Sequence, residues 1–453
     1  MERKITALLQ KWKDSGDETA LMVKGARQVG KTYIIDEFGT SNYDYYLKID
    51  LRDERIDDDF WAGKQTELIQ RITLRYPEFR VVKGKSLLFL DEIQDCPAAI
   101  SALKALSKDR TLDVICSGSF LGLYEKSPKR CPVGYVHEIT MHPMDFEEYL
   151  WALGLSHEQT ESIGRHVHER KPFDPPVLHT IETYYRQYLI VGGMPLPVLR
   201  SVTSVNAGDY MDAQDDIING YEQDILAYAE DTKDDALKLL RLVPTELGKT
   251  NKRLRFKDID NEENRGIREY REPIDWIEGS RFVTVCRRLS AIERPLRRNS
   301  RESMLKMYMV DTGLLVRMYG GGTVEAMMRK DLSINEGAIG ENSVCQMLTA
   351  CDIDLFYYEV DKEVEVDFIA EIGSEIFAIE VKTGKKRRAR SLKKMMEMDA
   401  GRNISRWVKF EYGNIMITED GVEHYPLFCA AFAGLLTSEA EVHLMRGDHN
   451  LVI

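Results

Sequence analysis

The sequence has no apolar run approaching the roughly twenty residues that a membrane-spanning helix needs, and no membrane partner is expected. Its opening, Met1-Glu2-Arg3-Lys4-Ile5, lacks the apolar core of a secretory signal, so a cytoplasmic protein is expected. Cysteine is scarce. The seven cysteines in 453 residues are scattered, without the paired spacing of a zinc site or a disulfide framework. This points to reduced thiols and no structural zinc. Positive charge is in deficit, with 62 Lys and Arg against 75 Asp and Glu and a net charge of −13. That balance excludes a protein basic all over, so any nucleic-acid contact has to come from local basic patches. What is present, 43% hydrophobic and 30% charged residues, is the composition of a soluble globular protein. The chain is long enough for two to four domains, each burying its own core.

Gly25-Ala26-Arg27-Gln28-Val29-Gly30-Lys31-Thr32 reads G-x-x-x-x-G-K-T, the phosphate-binding loop of nucleoside triphosphatases. The apolar strand Ala20-Leu21-Met22-Val23 precedes it, and helical spacing follows from Tyr33 to Phe38. The glycines permit turns that a Cβ obstructs. The amides of residues 25–30 and the helix N-terminus then face the phosphates of ATP. Lys31 is expected to reach the β- and γ-phosphates, and the Thr32 hydroxyl to ligate Mg²⁺. Ser86-Leu87-Leu88-Phe89-Leu90-Asp91-Glu92 is a buried strand ending in two acids. It delivers Asp91 to the Mg²⁺ shell and places Glu92 to orient or deprotonate the attacking water. Leu112 to Cys116 is another buried strand, followed by Ser117-Gly118-Ser119. Ser117 is a candidate sensor of the γ-phosphate; the alternative is a cap for the helix that follows. Strands alternating with helices predict a parallel sheet with right-handed crossovers and the ligand beyond its carboxyl ends.

On these motifs the chain resembles the bacterial and archaeal AAA-superfamily ATP-binding proteins that carry a C-terminal nuclease-like domain. Further matching stretches are His142-Pro143-Met144-Asp145-Phe146-Glu147-Glu148-Tyr149, Tyr188-Leu189-Ile190-Val191-Gly192-Gly193-Met194-Pro195 and Tyr308-Met309-Val310-Asp311-Thr312-Gly313-Leu314-Leu315. The family often has Gly-Arg before its last core strand. Here the pair is Gly134-Tyr135, with Lys129 and Arg130 a few residues upstream, which leaves an arginine finger unassigned. The resemblance implies a helical lid in the middle of the chain, and ring-forming relatives make a homo-oligomer a candidate assembly.

Residues 235–290 have the pattern of a small winged-helix unit. Arg265 to Ile277 is expected as its recognition helix, broken or kinked at Pro273, and Gly279 to Cys286 as its wing strand. Lys249, Lys252, Arg253, Arg255 and Lys257, with Arg294, Arg297, Arg298 and Arg301, form two basic patches. They read either as contacts to the phosphates of duplex DNA or as a solvated face paired with nearby acids. Downstream, a helix carrying Glu341 leads to strands at 355–359, 363–370 and 376–382, then to a lysine-rich helix from Ala389. That order, with Asp367 and then Glu380-Val381-Lys382, matches the PD-(D/E)XK nuclease core. Residues two apart on a strand face the same side, so Glu380 and Lys382 project together. Asp367 and Glu380 are expected to share a divalent metal, Glu341 to complete the acidic cluster and Lys382 to stabilise the phosphate. Alternating acid and apolar residues also suit any half-buried strand, and Val366 stands where the motif has proline. Eight basic residues from Lys382 to Lys394 form a candidate nucleic-acid track.

The expected fold is α/β: a P-loop NTPase parallel-sheet core over residues 1–155, a helical lid over 156–234, a winged-helix-like unit over 235–325 and an α/β restriction-endonuclease-like domain over 326–453. The expected function is Mg²⁺-dependent ATP binding and hydrolysis, with the nucleotide state controlling the nuclease-like domain. The alternatives are a metal-dependent DNA endonuclease with a regulatory ATP site, and a non-catalytic DNA-binding or scaffold protein.

Overall fold

In the computed structural model, residues 1–119, 134–249, 251–256, 259, 266–329, 336–360, 364–384 and 390–437 are described. The chain divides into two compact units, Glu2–His142 with Asp275–Phe282, and Pro143–Ile274 with Val283–Ile453 and Met1. No helix among the described residues is long and apolar enough to cross a membrane.

The first unit is built on five short strands: β1 Ala20–Lys24, β2 Tyr45–Asp50, β3 Ser86–Asp91, β4 Asp113–Gly118 and β5 Val136–Thr140. They lie in the order β2-β3-β4-β1-β5, and every pairing is parallel. β1, β3 and β4 are buried along their whole length. Their continuous apolar runs are what a parallel sheet covered on both faces requires. Alternation divides each run between two cores. Ala20, Met22, Leu88, Leu90, Val114 and Cys116 pack with Leu68, Ile72, Ile100 and Leu103 from the helices Gln65–Arg75 and Pro97–Leu106. Leu21, Val23, Leu87, Phe89 and Ile115 pack on the other face with Leu9, Trp12, Ile35 and Phe38 from the helices Ile5–Ser15 and Lys31–Asn42. This is the parallel α/β core that the strand–helix alternation predicts.

The second unit opens with helices from Phe146–Ala152 to Lys233–Gly248. They are tied to the rest of the unit by a buried knot that joins three of the matching stretches. The Asp311 carboxylate accepts from the Gly193 amide at 2.5 Å, the Leu314 amide at 3.0 Å and the Gln346 side chain at 3.2 Å. Met144 and Gly193 share a backbone hydrogen bond of 2.7 Å. A Cβ on Gly193 would lie 1.9 Å from the Met144 carbonyl, so no larger residue fits. Burial raises the Asp311 carboxyl to about 6, against the pull of its amide donors.

The unit's sheet has eight strands: β6 Val283–Leu289, β7 Ser300–Met309, β8 Leu355–Val360, β9 Val364–Ile372, β10 Glu375–Lys382, β11 Arg406–Glu411, β12 Met416–Ile417 and β13 Glu423–Pro426. Their order is β12-β13-β11-β10-β9-β8-β6-β7. The strands expected at the C-terminus are present. β11, which pairs in parallel with β10, had no signal in the sequence reading.

The expected winged-helix-like unit differs. The helix Ile267–Gly279 runs through Pro273, and β6 begins at Val283. β6 and β7 form an antiparallel pair, but β6 also pairs with β8. Backbone groups at the edge of a two-stranded ribbon need partners. Here β8 supplies them, so the boundary expected at 325 falls inside one sheet. Arg265, Lys129 and Arg130 lie outside the described residues.

Candidate functional site

β1 ends at Lys24, and the chain turns through the glycine-bounded loop into the helix Lys31–Asn42. Gly30 has a left-handed φ of 97°, which costs glycine nothing. A Cβ on Gly25 would lie 2.3 Å from the Met141 carbonyl, so the loop passes too close to the end of β5 for any other residue. Ala26 and Val29 are buried, while Arg27 and Gln28 are at the surface or partly so. From the other side, the buried Arg3 guanidinium donates to the carbonyls of Val29 at 3.1 Å and His142 at 2.6 Å. The loop is thus clamped by an arginine with no place in the motif.

The Lys31 ammonium is folded over the loop. It donates to the Gly25 carbonyl at 3.0 Å, the Ala26 carbonyl at 2.9 Å and the Ser119 hydroxyl at 3.0 Å. Burial depresses its pKa to about 8, opposed by Glu92 and Asp91 and assisted by Arg27 and Arg281. Across the pocket, Thr32 Oγ1 donates to Asp91 Oδ2 at 2.9 Å. The Ser117 hydroxyl donates to Asp91 Oδ1. Lys48 of β2 stands 3.6 Å from Asp91 and 3.2 Å from Asp36. One hydroxyl and one carboxylate converging at a phosphate loop fit Mg²⁺, which takes the rest of its octahedron from water and substrate phosphates.

Glu92 follows Asp91 with a left-handed φ of 48°, a conformation that costs a non-glycine residue roughly 1–2 kcal/mol. Its carboxylate accepts from Gln94 at 2.6 Å and lies 3.6 Å from Arg52. The motif residues are therefore brought together as the spacing predicts. Ser117 sits on Asp91, and Ser119 takes the position beside Lys31. Ser119, Lys48, Arg52, Arg3 and Arg281 were missed, because each reaches the site from a separate element with no periodic signal of its own.

A second cluster gathers in the other unit. Register places Phe356 opposite Ile369 and Tyr358 opposite Val366, so Asp367 and Phe368 together oppose the single Tyr357. This bulge breaks the alternation and turns two consecutive side chains to one face. The Phe368 ring then lies 5.5 Å from that of Tyr308, and Asp367 joins Glu341, Glu380 and Lys382. Lys382 pairs with Glu380 at 2.8 Å, and Asp367 accepts from the Val381 amide at 2.8 Å. Burial, then the neighbouring Glu341, raises Asp367 above the usual carboxylate range. The four predicted residues are together, and two lysines that were not foreseen in this site are with them. Lys252 pairs with Glu341 Oε2. Lys306 of β7 stands 2.5 Å from Glu365 and 3.7 Å from Glu341. Burial favours a neutral Glu341, but Lys252 and Lys306 outweigh it and hold the carboxylate ionised.

Four of the eight described cations in the basic patches are paired with carboxylates, Lys252 among them. Lys249 meets Glu246 at 2.5 Å, Arg294 meets Glu371 at 2.9 Å and Arg297 meets Asp354 at 2.8 Å. Lys257 and residues 385–389 of the basic track lie outside the described residues.

Residues 17–150 match the AAA domain family. Residues 182–325 and 336–427 of the same chain match two families described as domains of unknown function, DUF8612 and DUF4143. No match was found among curated proteins. Among solved structures, the chain is similar to the Walker-type ATPase paby2304 of Pyrococcus abyssi, with 13% identity, 70% of this chain and 95% of that one covered, and a TM-score of 0.40. It is also similar to the Orc1 protein of Aeropyrum pernix in complex with DNA, with 13% identity, coverage of 73% and 93%, and a TM-score of 0.29. A third is a STAND signal-transduction ATPase with a tetratricopeptide repeat sensor from Pyrococcus horikoshii, with 13% identity, coverage of 78% and 47%, and a TM-score of 0.29.

Proposed function

We propose that the AAA-type domain binds ATP with Mg²⁺ and hydrolyses it, and that the nucleotide state controls the C-terminal α-β-β-β-α-β domain. The observation that carries this reading is the convergence of Lys31, Thr32 and Asp91 beyond the carboxyl ends of parallel strands. Phosphate oxygens replace the Gly25 and Ala26 carbonyls as acceptors for Lys31. The amides of residues 25–30 and the helix N-terminus complement the triphosphate charge. Mg²⁺ would be held by Thr32 and Asp91, where it supplies neutralisation of the developing phosphate charge. Ser117 holds Asp91 in the orientation this needs. Glu92, released from Gln94 and Arg52, takes the proton of the attacking water.

Nucleotide binding and turnover in two variants test the proposal. Lys31→Ala is expected to abolish ATP binding. Glu92→Gln is expected to retain ATP while losing turnover by about a hundredfold or more. Wild-type hydrolysis no faster than that of Lys31→Ala overturns it.

The reading extends to the C-terminal domain as a nuclease-like fold, supported by its element order, Glu336–Ala350, β8, β9, β10, Arg390–Met396 and β11. Contact with duplex DNA rests on the exposed Arg255, Arg298 and Arg301, because most of the other patch cations already face carboxylates. Binding that weakens steeply with salt, and less steeply once these three are replaced by alanine, supports contact with phosphates; salt-insensitive binding removes DNA from the proposal.

A further inference from the structure

A divalent-metal site in an αβββαβ nuclease-like core needs two or more carboxylates whose oxygens point to one vacant position, roughly 2.0–2.6 Å from each. The cluster at Glu341, Glu365, Asp367 and Glu380 has the acids. Its centre, however, is supplied with cations by the chain itself. The Lys306 ammonium sits between Glu365 at 2.5 Å and Glu341 at 3.7 Å, and 4.9 Å over the Tyr357 ring. Its side chain is 1% exposed, so it has no route to water. Glu341 is taken up on both oxygens. Lys252 meets Oε2, and the Tyr308 hydroxyl donates to Oε1 at 2.6 Å. Lys382 lies on Glu380, and the Val381 amide on Asp367. Four carboxylates thus face three ammonium groups. Glu380 Oε2 is buried without a hydrogen-bond donor among the described residues, one oxygen where a divalent ion takes several. Among the described residues no three carboxylate, imidazole or thiolate groups are placed to share a metal ion.

The two added lysines come from outside the αβββαβ core. Lys306 is on β7, and Lys252 follows the helix Lys233–Gly248. A metal entering beside Glu341 would have to displace a buried, tethered ammonium, or share a low-dielectric pocket with it. Either leaves an uncompensated buried charge, which is strongly unfavourable. We infer that Lys306 and Lys252 occupy the place of the divalent cation. The acid cluster is then a metal-free ionic lock that joins β7 and the 251–256 segment to the helix Glu336–Ala350. The domain keeps the arrangement of a nuclease core, and its charge centre serves cohesion of the fold in place of phosphodiester cleavage. This inference rests on the nuclease-like reading of the domain and is independent of ATP hydrolysis at Lys31.

The test uses the full chain without nucleotide, titrated with MnCl₂ while free Mn²⁺ is counted by electron paramagnetic resonance. Wild type and Asp367→Asn are expected to bind the same amount of Mn²⁺, and neither to nick plasmid in Mg²⁺ or Mn²⁺. Lys306→Met, which removes the ammonium and keeps an apolar stem, is expected to gain a site at least about tenfold tighter. Its melting temperature should then rise with Mn²⁺ and not with NaCl of equal ionic strength. If Lys306→Met does not fold, Lys252→Met, at the side chain that is 16% exposed, should show the same gain. The wild-type comparison decides if neither variant folds. A wild-type Mn²⁺ site or metal-dependent nicking that disappears in Asp367→Asn overturns the inference, as does a folded Lys306→Met with no added site. An ATPase result in the Lys31→Ala comparison leaves each of these outcomes unaffected.

Discussion

At the scale of the residue, the local motif was legible and its partners were not. Lys31, Thr32 and Asp91 announce themselves because the chemistry of a triphosphate needs a cation, a hydroxyl and a carboxylate at fixed places after two strands. Ser119 and Arg3 do not, because one hydroxyl or guanidinium in a chain of this length carries no pattern. Asp311 is the same case in the second unit, where the sequence shows only an acid in a matching stretch. Its place under the Gly193 and Leu314 amides emerges from folding. Burial raises its folded pKa to about 6 from a usual 3.8, so the folded state binds this proton more tightly than the unfolded state. The stability linked to it is fully present below about pH 3.8 and is lost as pH rises through about 6, by an amount on the order of 2–3 kcal/mol. Asp311→Asn puts an amide N–H against amide donors and is expected to lower stability at every pH. It should also flatten the dependence between about pH 4 and 7, read from denaturant midpoints across that range.

At the scale of the element, strand positions followed from apolar runs, and register did not. Apolar residues from 20 to 23, 87 to 90 and 114 to 116 name β1, β3 and β4 because both faces of each strand are buried. β11 was missed. Its residues Arg406, Lys409 and Glu411 are charged, and only the pairing of Arg406 with Glu423, and of Glu411 with both Lys409 and His424, makes a buried strand of them. The bulge at Asp367 and Phe368 is likewise a property of two strands together, since it is defined by the single Tyr357 across from it. Glycines offer a direct comparison of helix-bordering positions. Gly193→Ala drives a Cβ to 1.9 Å from the Met144 carbonyl and is expected to destabilise by several kcal/mol, on the order of 3 or more. Gly322→Ala, in the helix Gly321–Met328 with nothing within 4 Å, is expected to be neutral or to stabilise by about 0.5–1 kcal/mol. Thermal melts of the two variants, side by side with wild type, read both.

At the scale of the whole molecule, the chain holds two compact units, each with its own sheet. Separate cores predict separable unfolding. Calorimetry of the full chain is expected to show two transitions. ATP with Mg²⁺ should raise the transition of the unit that contains Lys31, by about 2.7 kcal/mol of added stability at a ligand concentration a hundred times Kd. The other transition should stay in place, and Lys31→Ala should remove the shift. A single transition displaced as a whole would show that the two units unfold as one. Strand pairing across residue 325 has a basis invisible in one dimension. The expected wing strand falls in β6, which pairs with β8 on one side as well as with β7 on the other.

The sequence by itself determined the nucleotide loop, the strand that ends in Asp91 and Glu92, and Glu341, Asp367, Glu380 and Lys382 of the C-terminal cluster. These depend on short-range order: backbone turns at glycine, a strand delivering its last residue, side chains that alternate along a ladder. Only the tertiary structure decided that Arg3 clamps the loop and that Lys252 and Lys306 fill the acid cluster. Those are meetings of single charges 89 and 35 positions from Glu341, and the low dielectric of a closed interior, which makes such pairs count, exists only once the chain has folded.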